Sequence, residues 1–254
     1  MISPRIPRAA LITGGAQRLG LAMAEALAAA GFDIALHCHS SVEAAQSAAR
    51  HLPTRSVVLR ADLSREAETE PLIAQATAAL GPIGVLINNA SVFDRDEWND
   101  VSRASWDAHL ETNLRAPFVL TQAFAKALPP HHEGVVINML DQRVWSLTPH
   151  FMSYSLSKAG LWALTQTLAL ALAPRIRVNG IGPGPALPSP RQSREQFDAQ
   201  ARSVPLGHGT SPEEVAQAAL AILSLPSMTG QMVALDGGQH MQWSARQGAA
   251  APEE

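Results

Sequence analysis

Cysteine is almost missing: Cys38 is the only one in 254 residues, which excludes an internal disulfide and points to a reducing compartment. Tyrosine is as scarce, with Tyr154 alone, so phenol chemistry has a single candidate. An excess of either charge is absent too. Nineteen Lys and Arg against 22 Asp and Glu leave a formal net charge of -3, with no basic field to draw in nucleic acid. After Arg5 and Arg8 the first apolar run, Ala9 to Ile12, ends at glycines, too short for a signal peptide or a membrane span. The expectation is a soluble, cytoplasmic protein with no membrane or nucleic-acid partner. Hydrophobic residues make up 46% of the chain, enough for a core without disulfides or metals, and no metal site is expected.

Seven short apolar runs bounded by turn residues recur along the chain, at residues 9–13, 33–37, 56–61, 84–90, 134–140, 176–181 and 231–236. Stretches of helical period separate them, at residues 19–30, 42–51, 66–80, 105–128, 152–172 and 212–225. Near-continuous apolar strands alternating with helices are the pattern of a parallel sheet covered on both faces. The predicted fold is α/β: a single Rossmann-like, doubly wound parallel sheet of about seven strands with helices on both faces. No composition break marks a second domain, so residues 1–254 read as one. The Pro-rich stretch at 183–190 opens a loop, about 183–205, expected to overhang the strand carboxyl ends where ligands bind. The polar tail, about 244–254, is expected to fray.

The first strand runs into Thr13-Gly14-Gly15-Ala16-Gln17-Arg18-Leu19-Gly20 and then a helical pattern. Glycines here let backbone approach a pyrophosphate at the positive end of a helix; a plain tight turn is the competing reading. The second strand ends in His37-Cys38-His39-Ser40-Ser41, without the acid that usually binds the adenosine ribose of NAD. A carboxylate would repel a 2′-phosphate, whereas imidazole and hydroxyl groups can bond to it, so the expected cofactor is NADPH. His37 and His39 alternate along a strand, so one of them is expected to face the cofactor. Arg18 either pairs with the added phosphate or is a solvated arginine at a helix start.

Tyr154 and Lys158 stand four apart at the start of a helical stretch and so share a face. An ammonium beside a phenol favours the phenolate and makes tyrosine a usable general acid near neutral pH. A solvated surface pair is the bland alternative, and the rest of the framework argues against it.

The chain resembles the short-chain dehydrogenase/reductase family, whose glycine pattern is TGxxxGxG, with Arg18 in place of the middle glycine. The resemblance runs from Ala9 to Met241. It includes Asp62-Leu63 where the family holds adenine, Asn88-Asn89-Ala90-Ser91 where it has NNAG, and Asn113, which in the family positions a water near the lysine. It also takes in residues 177–184, ending in Gly184, and Asp236-Gly237-Gly238. Thirteen residues before its tyrosine the family has a serine that bonds the substrate carbonyl, and here that position is Asp141. An ionised carboxylate would oppose charge growing on a ketone oxygen. Reduction of a C=N bond must instead deliver a proton to nitrogen, which an acid could supply; a capping role for Asp141 is the alternative.

Arg18, HxHxS, NNAS and Asp141 together make the chain similar to the pteridine reductases and bacterial dihydromonapterin reductases. That branch implies hydride transfer from NADPH to a pterin-type heterocycle, possible substrates being dihydromonapterin, dihydrobiopterin or dihydrofolate. Asp141, Tyr154, Lys158 and Asn113 would be catalytic. The cofactor would meet Thr13, Gly14, Arg18, Leu19, Gly20, His37, His39, Ser40, Ser41, Asp62, Leu63, Asn89, Ala90, Ser91, Tyr154, Lys158 and Gly184. Ser91, Asp141 and Tyr154 would touch the substrate, and Phe93 would stack on it. A homotetramer is implied by the resemblance. The competing functions are an NADPH-dependent carbonyl reductase, for example of 3-oxoacyl groups, and a non-catalytic NADP(H)-binding regulator.

Overall fold

The computed structural model describes residues 1–189 and 191–241, and the tail expected to fray lies outside them. Among the described residues the seven apolar runs form one parallel sheet: β1 (Ala9–Ile12), β2 (Asp33–Cys38), β3 (Ser56–Arg60), β4 (Val85–Asn88), β5 (Gly134–Met139), β6 (Ile176–Pro183) and β7 (Met232–Leu235). The strand order is β3-β2-β1-β4-β5-β6-β7. Winding therefore reverses between β1 and β4, and their carboxyl ends splay a crevice where such sheets bind ligands. Residues 9–12, 85–88 and 134–139 are buried throughout, as strands covered on both faces must be.

Two apolar layers flank the sheet. On one face Met23 and Leu27 of α1 (Arg18–Ala29) and Val215, Ala219 and Ile222 of α9 (Pro212–Ser224) pack on Ile12, Ile34, Ile87 and Ile137. On the other, Leu72 and Ile73 of α4 (Leu72–Leu80), Leu120 and Phe124 of α6 (Ala116–Ala127) and Leu168 of α7 (Met152–Leu172) pack on Leu11, Leu86 and Val136. Helix α2 (Val42–His51) covers the β2–β3 edge, with Ala45 buried against Cys38. No helix among the described residues is long and apolar enough to cross a membrane.

Three departures from the expected helices have physical causes. The stretch at 66–80 is broken into α3 (Glu66–Thr69) and α4, because Pro71 has no N–H and its ring collides with the preceding turn. The stretch at 105–128 is interrupted after α5 (Arg103–Leu110) by one π turn, Glu111–Arg115, before α6. Pro117 has no N–H with which to reach the Asn113 carbonyl, so α-helical bonding fails at this place. Third, the stretch at 183–205 is not only loop: α8 (Arg194–Ser203) lies within it. Ser193 caps α8, and the Gln196 side chain bonds back to the Ser193 N–H, a box that starts a helix without any apolar stripe.

Candidate active site

The strand ends around the β1/β4 crevice line a groove of about 620 Å³. Its walls are the glycine loop from Gly14 to Gly20, His37 to Ser41 after β2, Asp62 and Leu63 after β3, and Asn89 to Val92 after β4. Gly14 holds φ +61, a left-handed conformation that glycine adopts without strain. A Cβ on Gly20 would strike the Gly14 carbonyl oxygen, so the start of α1 closes on the loop only with glycine there. Arg18 has φ 54, the conformation a glycine would adopt easily, which explains in backbone terms why glycine is the residue expected at this position.

The loop is held from behind. The Asn89 amide donates to the carbonyls of Thr13 (2.9 Å) and Gly14 (3.1 Å), and the buried Thr13 hydroxyl accepts from the N–H groups of Asn89 (2.9 Å) and Ala90 (3.0 Å). Thr13 thus braces the groove from beneath and is not among the residues that line it. His37, which does line the groove, is tied into the same loop. Its Nδ1 accepts from the Gly14 N–H (3.2 Å), so its Nε2 carries the proton and donates to the Ala61 carbonyl (3.1 Å). Burial holds this imidazole below its ordinary pKa, so it is neutral near pH 7 and cannot serve as a cation for phosphate. His39 and Ser40 stay exposed on the groove wall, and Asp62 turns inward on the Ser64 hydroxyl (2.7 Å) and N–H (3.0 Å).

A second cleft, of about 190 Å³, opens beside the groove between Phe93, Asp141, Tyr154, the loop from Pro183 to Leu187 with Ser189, and Gln192, Phe197 and Gln200. Helix α7 buries Tyr154, Lys158, Leu161, Thr165 and Leu168 along one stripe, so the Tyr/Lys pair is not a surface pair. The Lys158 ammonium donates to the Met139 carbonyl (2.8 Å) and stands 5.7 Å from the centre of the Tyr154 ring. Burial pushes its pKa down to about 8, against the raising effect of the Asp141 charge. The Tyr154 hydroxyl donates to Asp141 Oδ2 (2.8 Å). Asp141 also accepts from the Arg143 N–H (2.8 Å) and guanidinium (3.1 Å), capping the short turn at Gln142–Val144. Asp141 therefore caps this turn with the same carboxylate that accepts from the Tyr154 hydroxyl.

A family model described as enoyl-(acyl carrier protein) reductase matches residues 14–240. The chain belongs to the short-chain dehydrogenase/reductase family. A 3beta-hydroxysteroid dehydrogenase 1 from Eggerthella lenta is 32% identical over 240 residues, covering 90% of this chain and 92% of the relative. Among solved structures, the FolM alternative dihydrofolate reductase 1 of Brucella canis, complexed with NADP, superposes with TM-score 0.93 at 43% identity, over 97% of this chain and all of that one. Its counterpart from Brucella suis, also in complex with NADP, gives TM-score 0.92 at 43% identity, covering 98% and 100% of the two chains.

Within this short-chain reductase frame several expected roles move. Arg18 lines both cavities, but its guanidinium donates to the carbonyls of Pro188 (3.0 Å) and Leu187 (3.3 Å). It lies against the loop after β6, at the junction of the two cavities. The Asn113 amide is saturated: Oδ1 accepts from Val92 N–H (2.8 Å) and Ser91 Oγ (3.2 Å), while Nδ2 donates to Val92 O (2.9 Å) and Ser157 Oγ (3.1 Å). That leaves only its backbone carbonyl, in the π turn, to hold a water. Ser91, expected at both cofactor and substrate, lines the groove and not the second cleft, and Gly184 lines the second cleft and not the groove. Phe93 does face the cleft, with one face stacked on Phe151 (4.8 Å, 9°) and its neighbour Tyr154 edge-on (4.6 Å).

Two groups had no sequence signal. Arg143 is inserted beside the Phe93 and Phe151 rings (5.5 and 5.2 Å) and pairs with Asp141. Behind Tyr154 lies a buried network. His109 accepts the Asp94 N–H at Nε2 (3.0 Å) and meets the Ser153 hydroxyl at Nδ1 (2.7 Å), and Ser153 bonds Asp96. Burial pushes the Asp96 carboxyl up, but hydrogen bonds from Ser153 and Ser105 outweigh it and hold it below the usual range. Residues so sealed from solvent cannot act as a hydrolytic triad; they fix the start of α7 and hence Tyr154. No group of three or more His, Cys, Asp or Glu side chains among the described residues could hold a metal ion.

Proposed function

We propose that this chain is an NADPH-dependent reductase of the C=N bond of a dihydropterin-type heterocycle. The observation that carries this reading is the 2.8 Å hydrogen bond from Tyr154 to Asp141 at the wall of a cleft that also presents Phe93. A carboxylate there disfavours an alkoxide and favours a nitrogen that gains a proton. The likeness to the Brucella alternative dihydrofolate reductases in complex with NADP supports it.

The groove fits a dinucleotide: glycine backbone and the start of α1 would hold the pyrophosphate, and Asp62 and Leu63 would flank the adenine. When bound, NADPH supplies a hydride from its nicotinamide C4. Lys158 would hold the nicotinamide ribose, and its charge stabilises the phenolate left when Tyr154 gives up its proton. Asp141 accepts the Tyr154 O–H, which orients the phenol and keeps its proton at the cleft until transfer. Phe93 offers a flat apolar surface for the heterocycle. The test is NADPH oxidation with dihydropterins, dihydrofolate and simple ketones. Saturable turnover of a dihydropterin is expected, and turnover confined to ketones would overturn the reading.

The 2′-phosphate would be held by His39, Ser40, Ser41 and Arg60, whose Nε donates to the His39 carbonyl (3.3 Å) and brings a guanidinium to that rim. Arg60→Ala is expected to lower the preference for NADPH over NADH about tenfold, the scale of one exposed charge-assisted bond. Arg18→Ala is expected to leave that preference unchanged and to raise the substrate KM about fivefold by freeing the loop carbonyls. Cofactor dissociation constants for both nucleotides check this. A selective loss of NADPH in the Arg18 variant would return Arg18 to the phosphate.

A further inference from the structure

Among the described residues, the charged side chains that line the second cleft are Arg18, Asp141 and Arg143. Arg18 is bonded to the Leu187 and Pro188 carbonyls. Arg143 and Tyr154 instead meet on one atom: Asp141 Oδ2 accepts from the Arg143 guanidinium (3.1 Å) and from the Tyr154 hydroxyl (2.8 Å). A single oxygen therefore stands between the cation and the phenol. That cation is shielded from water. The Arg143 and Asp141 side chains are 11% and 13% exposed, and the guanidinium carbon lies 5.5 Å from the centre of the Phe93 ring and 5.2 Å from that of Phe151. The two rings are stacked on each other, so Arg143 packs on a fixed aromatic pair. A charge with few waters around it acts more strongly on its neighbours than one on the surface.

The proton balance of the proposed reduction calls for such a charge. The carbon of the C=N bond takes up the hydride of NADPH, and the π electron pair passes to nitrogen. Nitrogen then receives the Tyr154 proton, and the phenol oxygen keeps the O–H electron pair. Phenol and Asp141 carboxylate together go from one negative charge to two, a change that a neighbouring carboxylate opposes. Lys158, 5.7 Å from the centre of the Tyr154 ring, balances one of them. The other groups around the phenol do not balance the second. His109 of α5 stands edge-on at 6.0 Å, but it accepts the Asp94 N–H at Nε2 and brings no charge. Asp96, bonded to Ser153, is itself an anion, and Arg191 from the loop after β6 is paired with Asp94 (2.7 Å).

We propose that Arg143 is the second counter-ion of the proton-delivering pair: through Asp141 Oδ2 it offsets the carboxylate and so lets Tyr154 release its proton beside it. This rests on proton delivery by Tyr154 as set out for the dihydropterin reading, and adds to it the group that makes a carboxylate tolerable next to the phenolate. Arg143 acts through Asp141 and Tyr154, so it is a positioning residue and not a catalytic one.

The experiment reads Tyr154 itself. It is the chain's only tyrosine, so tyrosinate difference absorbance titrates it with neither substrate nor cofactor present. Arg143→Gln removes the charge and keeps an amide N–H for Asp141. Arg143→Met removes both and keeps an unbranched stem against the two rings, whereas Arg143→Lys keeps the charge and loses the planar fork. In both neutral variants the tyrosinate midpoint is expected to move to higher pH, the phenol becoming about tenfold weaker as an acid, the scale of one opposite charge within about 6 Å. Arg143→Lys is expected to recover most of that shift. Turnover of a dihydropterin near neutral pH is expected to follow, kcat falling about tenfold in the neutral variants with KM within about twofold of the parent, a split that a loosened cleft would not give. Unfolding midpoints identify the folded variants, and either neutral one suffices. A tyrosinate midpoint that stays in place in a folded neutral variant, or that Arg143→Lys displaces as far as the neutral variants do, overturns the counter-ion assignment whatever the enzyme reduces. A parent that reduces no dihydropterin overturns the dihydropterin reading, and the titration still decides the role of Arg143.

Discussion

Tyr154→Phe is expected to lower kcat for the dihydropterin by about 10²- to 10⁴-fold, the range for loss of a positioned general acid. The phenylalanine ring keeps the packing against Phe93 (4.6 Å) and His109 (6.0 Å). Asp141 keeps both Arg143 bonds when the hydroxyl is gone, so stability should fall by only about 1 kcal/mol. Single-turnover NADPH oxidation on a variant shown to be folded measures the effect. A rate within tenfold of the parent would remove Tyr154 from proton delivery. Because Tyr154 is the chain's only tyrosine, the pH-dependent tyrosinate difference absorbance of the parent protein reports on this residue and no other tyrosine.

The pH profile is a second readout of the same centre. Burial holds the Lys158 ammonium down near 8, well below the 10.5 of a solvated lysine. Below pH about 8 the charge is present in the folded chain, where it supports proton release from Tyr154 and costs stability through its desolvation. Between about 8 and 10.5 the unfolded chain binds a proton that the folded chain lacks, so stability rises with pH across that window. Activity runs the other way: kcat/KM is expected to fall as pH rises through about 8.

What could be read from residues alone depended on how local the cause was. The seven strands are short runs of Val, Ile, Leu and Ala between turn residues, and each appears within about two residues of where its pattern places it. Helix α7 matches its predicted span because one apolar stripe carries both the core and the Tyr154/Lys158 pair. Helix α8 was illegible to periodicity: it buries no residue, and only the Ser193/Gln196 box announces it. The groove was readable because glycines and strand ends are adjacent in sequence. Its supports were not. That His37 faces Gly14 and Ala61 depends on where β3 is placed beside β2, and that Arg18 reaches Leu187 depends on how a loop 169 residues later folds back. Arg143 and Ser153 are common residue types in unremarkable positions; only tertiary burial gives them meaning. Prolines were the most undervalued local signal, since Pro71 and Pro117 mark both helix interruptions.

Asp141→Ser, which installs the hydroxyl that the short-chain reductase family uses for ketones, is expected to depress dihydropterin reduction by roughly 10²- to 10⁴-fold while weak ketone turnover persists or rises. The reason lies in what the carboxylate holds. Asp141 accepts three hydrogen bonds, from Tyr154, the Arg143 N–H and the Arg143 guanidinium, and donates none. It thus holds the Tyr154 proton on a carboxylate at the cleft wall and supplies the negative charge that stabilises a protonated nitrogen. Serine reverses that electrostatic preference, because its O–H can donate to a developing alkoxide. It also leaves the Arg143 side chain, 11% exposed, without its carboxylate, so part of any loss could be structural. Asp141→Asn separates the two effects: an amide oxygen in the Oδ2 place still accepts from the Arg143 guanidinium and Tyr154, only the cap on the Arg143 N–H is lost, and the charge is gone. If charge is what matters, asparagine should lose nearly as much dihydropterin activity as serine while staying closer to the parent in unfolding midpoint. Unlike serine, it should gain no ketone activity. Measuring kcat/KM against pH for all three forms on one dihydropterin and one ketone checks this. A serine variant that reduces the dihydropterin as fast as the parent would leave Asp141 with a capping role only and deprive the C=N reading of its chemical basis.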